Sequence, residues 1–225
     1  MPMELTLTTA RIDAIFDARN KARWLKNLGV YEYLLRHRNN VGSAQEASAT
    51  QDYERNFNYF YQVRRNAEWR KKFYALFYGM RGNDVSFEHI LRTLLAETGK
   101  VEASFSSKLA ATLDPTLPVI DRHVLSYVGA RLPMSVKDPE KRIGIIVGMY
   151  TGMGVAFNEF LTRPAGRHLV ARFKEEYPET AIHEMKMLDL VLWQSGGFRG
   201  DDPLSVDPPG LAPGSPDGKL GILTA

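Results

Sequence analysis

Lys108 and Asp121 are the residues whose types and spacing come nearest to a chemical device in this chain. They stand in the stretch SFSSKLAATLDPTLPVIDRHVLSYVG, residues 104–129, with Pro115 and Pro118 between them. Proline fixes its own φ and stiffens a short connection. The stretch therefore reads as helix, rigid turn and helix, with an amine one turn inside the first helix and a carboxylate at the mouth of the second. A lysine that loses its proton in a dry pocket is a nucleophile, and a carboxylate beside it can stabilise developing positive charge or accept a proton. An aspartate before a helix is also an ordinary N-cap, with its carboxylate accepting the N–H of His123 or Val124. Both uses are open at this level, and a cap can also be catalytic.

The elements that must position these two groups follow from apolar periodicity. Phe105, Leu109 and Leu113 form the stripe of the first helix and leave Lys108 at its margin. Val124, Leu125, Val128 and Leu132 form the stripe of the second, with Asp121 at its head. Upstream, Thr8 or Thr9 caps a helix predicted to run to Leu28, with Gly29 as its stop, and a shorter piece covers Tyr31 to Arg38. Val41 to Gln51 reads as a loop or frayed helix. From Asp52 to Tyr78 the chain is aromatic and basic together. Tyr53, Phe57, Phe60, Phe73 and Phe77 predict a core face, and Arg64, Arg65, Arg70, Lys71 and Lys72 a candidate phosphate-contacting cluster.

Ser86 caps Phe87 to Thr98, with Gly99 just past the end. Asp138 and Pro139 start a helix that carries Gly144, Gly148 and Gly152 on one face, a pattern predicting close packing of two buried helices. Pro164 to Tyr177 and about Glu179 to Gln194 complete the pattern. No segment alternates with period two for long enough to argue a sheet. The prediction is an all-α protein, a compact orthogonal bundle of about eight helices in residues 1–195, followed by a Pro/Gly-rich flexible tail at 196–225.

Composition narrows the function classes. Hydrophobic residues at 44% and charged residues at 24% match a globular chain, and the apolar stretch Ile143 to Phe157 is short for a bilayer. The N-terminus lacks the features of a signal peptide, so the expected location is cytoplasmic, with no membrane partner. The absence of cysteine excludes disulfides, cysteine nucleophiles and cysteine-ligated metals. The net charge of +3 divides into −2 on residues 196–225 and +5 on the rest, which allows a local phosphate-binding face.

Ser104-Phe105-Ser106-Ser107-Lys108-Leu109-Ala110 followed by Pro118-Val119-Ile120-Asp121-Arg122-His123-Val124 resembles the helix-hairpin-helix base-excision DNA glycosylases. In that superfamily a Gly-hydrophobic-Gly-x-Lys-x-Ala hairpin leads, through a proline-containing turn, to Val-Asp-x-His-hydrophobic at the head of another helix. Serines stand at both hairpin glycines here, and the match covers about a tenth of the chain. The resemblance implies a DNA partner and a base flipped into a pocket between helices. It implies Asp121 and Lys108 as catalytic residues, Lys108 as nucleophile or phosphate ligand, and contacts to DNA from Ser104, Phe105, Ser106, Ser107, Arg122 and His123. Neither a metal nor another cofactor is implied. A non-catalytic nucleic-acid- or protein-binding module that keeps Asp121 as a cap is the alternative. Arg163 and His168 have an Arg-x4-His spacing known from a family of α-helical ribonucleases, but Pro164 and Gly166 interrupt the continuous helix it would need.

Overall fold

The computed structural model describes residues 3–42 and 46–195, so the segment 196–225 expected to be a tail lies outside the described residues. Within them the chain is all-α, with ten helices and no strand. In order these are α1 (Thr9–Ala18), α2 (Lys21–His37), α3 (Ala47–Tyr61), α4 (Ala67–Gly79) and α5 (Phe87–Thr98), followed by α6 (Ala103–Leu113), α7 (Arg122–Tyr127), α8 (Pro139–Thr162), α9 (Pro164–Glu176) and α10 (Glu184–Ser195). The predicted count was lower in part because the aromatic stretch from Asp52 to Tyr78 divides into α3 and α4, while the first predicted helix breaks and its second part joins the piece at Tyr31 to Arg38. Arg19 turns extended, and its buried guanidinium bonds the Phe16 carbonyl and the Tyr177 hydroxyl. The Asn20 side chain then caps α2 through Arg23 N–H at 3.0 Å.

Gly29 does not stop α2, which continues to His37. Helix α3 begins inside the segment predicted as a loop, and α10 starts later than predicted, where His183 Nδ1 accepts the N–H of Met185. Elsewhere the local signals operate as expected. The carboxylate of Asp138 accepts the N–H groups of Glu140 and Lys141 ahead of Pro139, and Gly99 takes a left-handed φ of 69° after α5.

The buried side chains form two clusters. One joins α1, the first part of α2, α7, α8, α9 and α10, around residues such as Phe16, Trp24, Phe157 and Phe173. The other joins α3, α4 and α6, around Tyr53, Phe57, Phe73 and Phe77, all of them fully buried. The aromatic run of α3 and α4 is thus core. Phe57 meets Tyr61, Phe73, Tyr74 and Phe77 at centroid separations of 4.7 to 6.1 Å, contacts worth about 0.5–1.5 kcal/mol each beyond burial. Helix α5 serves both clusters, with Phe87 and Leu91 facing one and Ile90 and Leu94 the other, and Phe60 packs against both.

Two expectations about α8 change. By length and composition this 24-residue helix is apolar enough to cross a bilayer, although Ile143, Ile146, Met153 and Phe157 are buried against the rest of the chain. The glycine face is not a buried helix–helix seam either. A Cβ on Gly144 or Gly148 would meet nothing within 4 Å, and one on Gly152 would meet only Met3 at 3.6 Å. The glycine needed for close approach is Gly166, where a Cβ would collide with the backbone of Phe160 and Leu161. Arg163 is extended between α8 and α9, so the Arg163–His168 motif spans a break. Its two residues pair with Glu4 and Asp13, at 2.8 Å in each case.

Candidate active site

The side chain of Ser107 sets the geometry of the site. Its Oγ donates to the Ser104 carbonyl at 3.0 Å and accepts the N–H of Ile120 at 2.8 Å, in a fully buried position. Ser107 precedes Lys108 and Ile120 precedes Asp121, so this one bond clips the backbone of α6 to the segment leading into α7 beside both residues. The Tyr150 hydroxyl holds the same segment from α8, donating to the Pro118 carbonyl at 3.0 Å.

Asp121 is the N-cap of α7. Its Oδ1 accepts the His123 N–H at 2.9 Å, and no hydrogen bond to Oδ2 is found among the described residues. Lys108 reaches the C-terminus of α3, where its Nζ donates to the Tyr61 carbonyl at 3.1 Å. That carbonyl is freed from the helix ladder because Gln62 takes a left-handed conformation at φ 55°, the one positive φ at a non-glycine among the described residues. The amine also lies 5.3 Å from the Phe105 ring centroid. Burial holds the Lys108 amine below the usual lysine range. The charges of Asp121 and Asp189 oppose the shift, and that of Lys186 adds to it.

The two groups line one small cleft of about 90 Å³, together with Asn27, Phe60, Tyr61, Gln62, Val119, Asp189, Leu190 and Trp193. The cleft lies where the two hydrophobic clusters meet: Tyr61 and Val119 come from one, Leu190 from the other, and Phe60 touches both. Lys108 and Asp121 face this shared space without pairing with each other. Such an arrangement offers a partly desolvated amine, a carboxylate with an uncommitted oxygen, and aromatic walls from Phe60, Tyr61 and Trp193. Among the described residues no group of three histidine, aspartate or glutamate side chains is placed to hold a metal ion.

The expected nucleic-acid-binding residues separate. Ser104 to Ser107 do not form a hairpin; they occupy the first turns of α6, and the turn between α5 and α6 lies upstream at Gly99–Glu102. Ser106 and Ser107 are fully buried. The Ser106 hydroxyl donates to the Glu102 carbonyl at 3.0 Å, so neither side chain has surface to present to DNA. Half-buried Phe105 packs tilted against Trp69 at a centroid separation of 4.8 Å, with Arg65 above it. Arg122 is exposed and His123 half-exposed, and the Arg122 Nε lies 3.2 Å from His123 Nε2. In the basic cluster, Arg65 takes both oxygens of Glu102 at 2.8 Å and Lys72 bonds the Glu97 carbonyl.

Asp189, Lys186 and Trp193 are the functional candidates that the sequence reading missed. Helix α10 is apolar on nearly every face, with Met185, Met187, Leu188, Leu190, Val191 and Leu192 all buried. Charges three apart in such a helix must be buried and therefore paired. That was the available signal. No protein-family model matches the chain, and no curated protein or solved structure is similar to it.

Proposed function

We propose that this protein is a DNA glycosylase-like enzyme, removing a damaged or modified base through Asp121 and Lys108, with α6 standing where the helix-hairpin-helix enzymes carry their hairpin. The observation that carries the reading is the convergence of a desolvated lysine amine and an N-cap carboxylate on one cleft between helices. Exposed cations touch or neighbour residues that line the cleft. Arg23 lies over the Trp193 ring at 5.7 Å, Lys26 over the Tyr59 ring at 4.9 Å, and Arg122 follows Asp121 in the chain. Such charges suit the backbone of a strand whose base is turned inward.

In the proposed reaction the bond from the sugar C1′ to the base nitrogen breaks, and the base leaves with the electron pair and is protonated. Asp121 stabilises the positive charge left on the sugar. The neutral Lys108 amine then bonds to C1′ and loses a proton, and the C1′–O4′ bond breaks with its electron pair and a proton going to O4′; the resulting imine can lose a C2′ proton and expel the 3′ phosphate, which cuts the strand. With Lys108 protonated, Asp121 instead takes a proton from an attacking water and the strand stays intact.

A second reading rests on a specific observation: both groups already have structural partners, Asp121 the His123 N–H and Lys108 the Tyr61 carbonyl. On that reading the protein is a non-catalytic nucleic-acid- or protein-binding module. Incubating wild type, Asp121→Asn and Lys108→Gln with duplexes carrying single oxidised, alkylated, deaminated or mismatched bases, with and without borohydride, separates the two. Base release lost in Asp121→Asn and a borohydride-trapped adduct lost in Lys108→Gln support the glycosylase. Binding without release on any duplex, unchanged in both variants, supports the module.

A further inference from the structure

Lys186 of α10 is 2% exposed and yet charged. Its Nζ donates to Asp189 Oδ2 at 2.7 Å and lies over the rings of Tyr31, Tyr61 and Phe60 at 4.8, 5.4 and 5.7 Å. Replacing a buried ion pair by apolar side chains of the same volume is often neutral or stabilising, so stability is a weak account of its presence. The pair is also not sealed. The Asp189 side chain keeps 12% exposure and lines the cleft that holds Lys108 and Asp121, and among the described residues Asp189 Oδ1 has no hydrogen-bond partner. One helical turn further along α10, Trp193 lines the same cleft and supplies an aromatic face for stacking.

A carboxylate is acceptor-only, and each of its oxygens has two lone pairs. Contact with Lys186 uses one of these and leaves both oxygens able to accept from the cleft. The group that fits is a pair of N–H donors side by side. Among nucleobase edges, guanine presents this with N1–H and its 2-amino group. Adenine and cytosine place a ring acceptor beside their amino group, and thymine and uracil place carbonyls on either side of one N–H, all of which repel a carboxylate.

We propose that Asp189 is a substrate-reading residue that accepts hydrogen bonds from the N1–H and 2-amino edge of a guanine-type purine seated in the cleft, and that Lys186 is the positioning residue that holds its carboxylate. This rests on the cleft being a base pocket, and not on whether a bond is broken there. The pocket then has divided duties: Trp193 stacks, Asp189 reads, and Lys108 and Asp121 face the sugar side.

The test uses the full chain and fluorescein-labelled duplexes carrying one 2′-fluoro nucleotide, which resists base loss, with guanine, 1-methylguanine or adenine in an unpaired bulge. Binding is read by anisotropy, and base release is measured separately on the corresponding ordinary nucleotides. Wild type is expected to bind the guanine duplex at least tenfold more tightly than the 1-methylguanine and adenine duplexes. In Asp189→Asn and in Lys186→Met that ratio falls below threefold while binding of the 1-methylguanine duplex is unchanged, a selective loss that general unfolding would not produce. Equal binding of guanine and 1-methylguanine by wild type overturns the proposal without recourse to any variant, as does a ratio preserved in a folded Asp189→Asn protein. A tenfold ratio without base release leaves Asp189 as a reader and removes the catalytic reading. Release without a ratio does the reverse, and absence of binding to every duplex removes both.

Discussion

Breaking the Lys186–Asp189 pair from its two ends should cost different amounts. Asp189→Ala strands an ammonium that is 2% exposed among three aromatic rings, reached by water only through the space the carboxylate vacates beside the cleft. Removing one partner of a buried pair costs about 3–5 kcal/mol, and the enclosure of Lys186 places this variant within that range. Lys186→Met leaves a carboxylate that opens on the cleft and can be hydrated from it, while methionine fills the volume of the lysine stem. The cost is then that of a partly satisfied polar group, about 1–3 kcal/mol. Lys186→Met combined with Asp189→Leu removes both charges and should return stability to within about 1 kcal/mol of wild type or above it. For a domain of this size each kcal/mol moves Tm by about 2–4 °C, so Asp189→Ala should melt about 6–20 °C below wild type. Burial is the largest single influence and disfavours the Lys186 cation, but the Asp189 charge, Tyr61, Tyr31 and the hydrogen bond to Asp189 together outweigh it, so the amine sits above the ordinary lysine value. A raised value in the folded state means that the stability contributed by the Lys186 charge is complete below about pH 10.4 and fades above it. Thermal and urea unfolding of the four proteins at pH 7, followed by circular dichroism, checks the order. A double variant as unstable as Asp189→Ala, or a Lys186→Met protein less stable than Asp189→Ala, would contradict this unequal cost.

Three further outcomes are expected. Burial depresses the Lys108 amine, so between that value and about pH 10.4 the folded chain binds fewer protons than the unfolded one, and stability rises with pH there. The Tm of Lys108→Met should therefore be highest relative to wild type at neutral pH, with the difference declining toward pH 10.4; a pH-independent difference contradicts this. Ser107→Ala strands the buried Ile120 N–H and should cost about 1–3 kcal/mol in urea unfolding, more than Ser106→Ala, whose hydroxyl serves only its own helix. Gly166→Ala should lose about 1–3 kcal/mol to collision with the Phe160 and Leu161 backbone, whereas Gly148→Ala should gain about 0.5–1 kcal/mol because nothing meets its Cβ. Equal melting temperatures for the two glycine variants would count against that contrast.

Sequence reading reached the elements whose signals are local. The Asp138–Pro139 start, the Ser86 cap and the aromatic stripe of α3 and α4 are written in neighbouring residues, and each stands where periodicity and capping chemistry put it. The break at Arg19 was not legible, because what holds it is Tyr177 and Glu176, more than 150 positions away. Gly29 and the α8 glycines misled for a related reason: glycine is permissive and marks a turn or a close approach only when tertiary structure uses that freedom. Of the candidate site, Lys108 and Asp121 were legible as types and spacing, and their shared cleft follows from the Ser107–Ile120 bond. Ser106 and Ser107 were misassigned to a DNA-gripping hairpin because a motif alignment does not register which side chains point into the core. Asp189 and Trp193 arrive from the far end of the described chain and depend on how α10 docks.

The meeting of two hydrophobic clusters at the cleft bears on how the site comes into being and how it is lost. Amide-exchange units in proteins tend to follow such clusters, opening and closing as cooperative pieces below the global unfolding free energy. Lys108 belongs to the piece built on α3, α4 and α6, and Asp189 to the piece built on α1, α8, α9 and α10, with Asp121 on the segment clipped between them. Neither piece owns a complete set of groups. The site is complete only while the two halves are docked, and an opening of either one takes it apart.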